Sequence, residues 1–70
     1  MNAAVVDIRA LRYNAGLGLD EAAREIGVHR TVLARTEAGS VPQVRNAALI
    51  ARFYGMQVTD IWPIEEPSAA

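Results

Sequence analysis

Apolar residues recur along most of this chain at three- and four-residue spacing, while its β-branched residues never alternate for long. That pattern predicts short helices and no sheet. Val5, Ile8, Leu11 and Arg12 place a first helix at about 4–14, ended by Asn14-Ala15-Gly16. After the tight link Leu17-Gly18-Leu19, a second helix covers about 19–26, with Ala22, Ala23 and Ile26 inward and Asp20 and Glu21 in its first turn. Carboxylates there favour the free amides and the helix dipole. Gly27 stops it, and a third helix follows almost at once, over about 28–37, with Val28, Val32 or Leu33, and Thr36 available for one side and Gly39 after its end. Two short helices joined by so tight a break are expected to cross steeply.

Ser40-Val41-Pro42-Gln43 reads as a loop, with Pro42 suited to the first turn of a fourth helix at about 43–54. Ala47, Leu49, Ile50, Phe53 and Tyr54 give that helix its apolar face, and Gly55 closes it. Val58 to Trp62 allows one or two further turns, capped by Thr59 or Asp60 and halted by Pro63. The expectation is an all-α domain over 1–64, a five-helix bundle, with 65–70 as a short flexible tail.

Charge changes this picture only through its distribution. Seven arginines and no lysine face eight acids, for a net charge of -1. Residues 24–52 hold Arg24, Arg30, Arg35, Arg45 and Arg52 against Glu25 and Glu37, a local net of +3. A basic middle and an acidic end suit contact with phosphate on one face. Without cysteine and with one histidine, the chain offers no disulfide and no zinc-finger ligand set, and no metal or other cofactor is expected. Catalysis is not expected either. Ser40 and Ser68 stand apart from His29 in sequence, and no phosphate-cradling glycine loop is present. The start Met1-Asn2-Ala3-Ala4 has neither a basic flank nor a long apolar run, and no stretch is long enough for a membrane span. A cytoplasmic protein with no membrane partner and no small-molecule ligand is therefore expected.

Ala23, Gly27-Val28, Leu33, Glu37, Gly39 and Pro42, followed by Ile50-Ala51, Gly55 and Ile61-Trp62, resemble the Cro/C1-type (Xre-like) helix-turn-helix repressor family. The resemblance runs from about Ile8 to Trp62 and is most similar to small phage Cro-like regulators. It implies a lambda-repressor-like fold, with the motif at about 19–37 and the third helix entering the major groove of double-stranded DNA. It further implies a homodimer, at least on DNA, reading a two-fold operator as a transcriptional regulator, a repressor of possible phage descent.

Carried residue by residue, the resemblance makes Arg30, Thr31 and Arg35 the base-reading positions, with Val32 and Ala34 beside them. Arginine can give two parallel hydrogen bonds to guanine O6 and N7, and threonine can bond a base edge or touch a thymine methyl. His29 is expected to meet phosphate or to cap the third helix; Arg24 and Arg45 are further phosphate candidates. Arg12 and Glu37 match a structural salt bridge between the first and third helices. Phe53, Tyr54, Met56 and Trp62 are candidates for the dimer interface, although Trp62 is most simply a core residue.

The second helix departs from the family pattern. Where many members have threonine and then glutamine, this chain has Gly18 and Leu19, so one phosphate anchor is missing. That loss and the acidic balance support an alternative: a protein-interaction module on the same fold, such as an antitoxin-like or anti-repressor-like partner.

Overall fold

The computed structural model describes residues 2–64. The expected tail at 65–70 lies outside the described residues. Five helices follow one another: α1 (Ile8–Asn14), α2 (Leu19–Ile26), α3 (Arg30–Glu37), α4 (Val44–Phe53) and α5 (Val58–Ile61).

The first helix is shorter than its apolar spacing predicts. Residues 4–6 lie outside it, because Asp7 is the N-cap and its carboxylate accepts a hydrogen bond from the Ala10 amide at 3.1 Å. The preceding segment is instead tied to the far end of the chain. The Val5 amide donates to the Ile61 carbonyl at 2.8 Å, and the Asn2 amide to the Pro63 carbonyl at 3.0 Å. Val5 itself is exposed, so α1 contributes Ile8 and Arg12 to the interior, with Leu11 half-buried.

The start of α3 also moves. Val28 and His29 precede it, with His29 as its N-cap. Leu33 and Thr36 form its buried side, and the Thr36 hydroxyl is satisfied by donating to the Val32 carbonyl at 2.7 Å. Pro42 does not lie in the first turn of α4, since Gln43 is the N-cap and the loop reaches one residue further. In α5 neither Thr59 nor Asp60 is the cap residue. That position is Gln57, and Asp60 reaches back from the first turn to accept its amide at 3.0 Å.

Small side chains let the helices approach. Ala22 and Ala23 of α2, and Ala47 and Ala51 of α4, are buried among Ile8, Ile26, Leu33, Ile50, Ile61 and Trp62. Leu49, Phe53 and Tyr54 flank this core half-buried; they do not form its centre. Trp62, Leu33, Ile50 and Ile61 are its largest fully enclosed side chains. The core thus runs from the last described turns to the underside of α3, and it fixes the face that α3 turns outward.

Candidate nucleic-acid interface

Leu33 and Thr36 face inward on α3, so helical periodicity sends Thr31, Ala34 and Arg35 to the opposite side, with Arg30 at its flank in the first turn. Arg30, Thr31 and Arg35 are exposed, and Ala34 and Val32 are half-buried at the edges of the stripe. Arg30, Thr31 and Arg35 thus share the exposed side of α3, with Ala34 and Val32 at its borders.

Three devices hold that face. The first is the turn Gly27-Val28-His29 between α2 and α3. Gly27 takes φ +94°, and the Val28 amide returns to the Ala23 carbonyl at 3.1 Å. The second is the cap. His29 Nδ1 accepts from the Thr31 amide at 3.1 Å, so in the neutral ring the proton resides on Nε2. His29 is exposed, which leaves Nε2–H available to an outside acceptor.

The third device is electrostatic. Arg12 Nε donates to Glu37 Oε2 at 2.7 Å and its NH2 nitrogen donates to Oε1 at 3.0 Å, a forked pair joining α1 to the last turn of α3. A third donor reaches the Leu17 carbonyl at 3.1 Å, which fastens the α1–α2 link as well. The side chains of the pair are only 8% and 2% exposed. The hydrogen bonds that Arg12 donates to Glu37 hold its guanidinium above the ordinary pKa, against the opposing effect of burial. Arg9 adds a longer contact to Glu37 at 3.4 Å from the solvent side.

A cleft of about 420 Å³ adjoins the stripe, lined by Val32, Arg35, Ser40, Val41, Gln43 and Asn46 among others. Gln43 is an N-cap without a side-chain hydrogen bond, so the first amides of α4 have no side chain covering them there. The polar residues Ser40, Gln43 and Asn46 carried no signal in the linear pattern. Only the folding of the loop against α3 places them beside Arg35.

A family model described as a helix-turn-helix domain matches residues 5–61. The chain belongs to that family. No curated protein and no solved structure matches it. It is a DNA-binding helix-turn-helix domain, and its all-α arrangement of five helices is consistent with the lambda-repressor-like fold. Such a domain is a small regulatory fold and not a catalytic one. None of its described helices is long and apolar enough to cross a membrane.

Within this helix-turn-helix domain the remaining candidates fall into separate places. Arg24 lies exposed in the last turn of α2, and Arg45 exposed in the first turn of α4. At the start of α2, Gly18 has no side chain to cap with, but its own amide donates to Glu21 Oε1 at 3.4 Å. Leu19 is half-buried against the core. Among the interface candidates, Trp62 takes the core place that was its simpler expectation, and not the interface one. It is fully buried inside one chain and has no surface to offer a second copy, because α5 and Pro63 lead it into the core. Phe53, Tyr54 and Met56 are half-buried, each covering the core with one part and meeting solvent with another. Phe53 and Tyr54 meet edge to face, with ring centres 5.0 Å apart.

Proposed function

We propose that this protein is a sequence-specific transcriptional regulator, a repressor of the Cro-like kind, that places α3 in the major groove of double-stranded DNA. The observation that carries the reading is the outward stripe of α3, where two exposed arginines flank Thr31 and Ala34. Arg30, Thr31 and Arg35 are the base-reading residues, and the methyls of Val32 and Ala34 meet thymine or sugar. The phosphate contacts come from His29 Nε2, Arg24 and Arg45. Phosphate contacts set affinity and position, and α3 sets preference. Two copies acting on a two-fold operator, joined through the solvent-facing parts of Phe53, Tyr54 and Met56, complete the reading.

The test is selection from a random duplex library with the wild-type chain and an Arg30→Ala/Arg35→Ala variant whose fold is verified by circular dichroism. A pair of two-fold-related half-sites enriched by the wild type and lost in the variant is the expected result. If neither protein enriches any motif, the regulator reading fails, and a protein partner becomes the object of search.

A further inference from the structure

Arg30 is not a free side chain. Its Nε lies 2.9 Å from Oδ1 of Asp20, in the first turn of α2, with the two side chains 62% and 66% exposed. Nε is the guanidinium nitrogen nearest the carboxylate, in an ion pair that is not a hydrogen bond. The two terminal nitrogens of the guanidinium are left over, and they are the pair that fits the two acceptors on a guanine edge. The ion pair holds the guanidinium beside the first turn of α2 by charge and not by a directed hydrogen bond. A flexible arginine at the start of a recognition helix loses rotamer freedom when it meets a base, and a carboxylate that already holds Nε lessens that loss.

We infer that Asp20 is a positioning residue that orients Arg30 toward guanine, and that this pair sets the base preference at one position of each half-site. The inference deepens the regulator reading and rests on it. Asp20 also places a negative charge at the start of α2, where Leu19 already offers phosphate no donor. The first turn of α2 therefore serves base selection through Arg30 and contributes no attraction to the backbone. Glu21, its neighbour, is turned to the Gly18 amide and takes no part.

The experiment compares base-by-base binding profiles of the wild type, Asp20→Ala and Asp20→Asn on the operator selected by the wild type, each at two salt concentrations. Asp20→Ala is expected to lower the preference for guanine at a single half-site position about tenfold, within the range one bidentate contact supports. Its preferences elsewhere and its salt dependence stay unchanged. Asp20→Asn, which removes the charge that forms the ion pair, is expected to lose the preference as Asp20→Ala does. The Arg30 Nε–H resonance in the free protein, less mobile by nitrogen relaxation in wild type than in Asp20→Ala, reports the contact without DNA. An unchanged base profile in Asp20→Ala, an equal loss at every position, or a preference retained in Asp20→Asn overturns the inference. A wild-type chain that binds no duplex selectively, while the Nε–H resonance behaves as described, overturns the regulator reading and with it the role given to Asp20.

Discussion

Arg12 carries a charge into the interior of a very small protein, and the pairing that makes this tolerable also fixes the angle of α3. The partners are 25 residues apart, and each is nearly enclosed. Removal of one partner leaves the other buried and unpaired, at a cost of about 3–5 kcal/mol for a buried pair. For a 70-residue chain that is a large share of the total stability. Arg12→Ala is therefore expected to abolish DNA binding through unfolding, seen as a collapsed urea midpoint. The double variant Arg12→Met/Glu37→Leu, which removes both charges, is expected to recover much of the loss. Tyr54 makes the opposite case. Burial pushes its phenol above the usual value of 10.0, with the Glu37 charge adding and Arg12 opposing. Its hydroxyl has no hydrogen-bond partner among the described residues. Because the folded pKa is raised, the neutral phenol is favoured in the native state. Stability is complete below the unfolded value near 10 and is lost as pH rises through the higher folded one. Tyr54→Phe is expected to be neutral or stabilising by about 1 kcal/mol at neutral pH. Urea midpoints at pH 8 and pH 11 would fall less in the variant than in the wild type.

At the scale of elements, helix ends and the start of α2 were legible, while the starts of α1 and α3 and the cap of α5 were not. A glycine with positive φ ends a helix by its own backbone, and Gly16, Gly27, Gly39 and Gly55 are visible as such in the chain. Starts depend on what the side chains nearby happen to bond. Val5 fits the helical register of α1, yet its amide is taken by Ile61, 56 residues along, and no local pattern carries that information. Gln57 is an N-cap because Asp60 reaches back to it, although residue type alone favours Thr59 or Asp60. The site shows the same division. The outward stripe of α3 follows from periodicity, whereas the Asp20–Arg30 contact and the neighbours of Arg35 across the loop require the turn to be folded first. That turn is itself testable. Nothing crowds a side chain at Gly27, but its φ of +94° strains any residue with a Cβ. Gly27→Ala is expected to cost about 1–2 kcal/mol with the helices retained, read from thermal unfolding by circular dichroism.

At the scale of the whole molecule, the net charge of -1 disfavours contact with a polyanion, so binding must come from where the arginines are placed. Arg24 and Arg45 sit exposed on different helices, and neither has an ion-pair partner among the described residues. If each meets one phosphate per protomer, each contact releases counterions on binding, and log affinity falls against log salt with a slope of about -0.9 per phosphate. A dimer on a two-fold site doubles the effect of one substitution. Arg45→Gln is therefore expected to flatten the slope by about 1.8, and to weaken all sequences alike. Arg35→Ala is expected to change the order of preferred bases while leaving that slope nearly as it was. Anisotropy titrations of the selected duplex and a scrambled one, between about 50 and 200 mM salt, separate the two effects. A change in Arg45→Gln of only about 0.9 would mean that one protomer alone bears the contact, and would remove the two-fold assembly from the account. A change in base order from Arg45→Gln would move that residue from the backbone to the bases, and the division of labour between α3 and the rest of the surface would have to be redrawn.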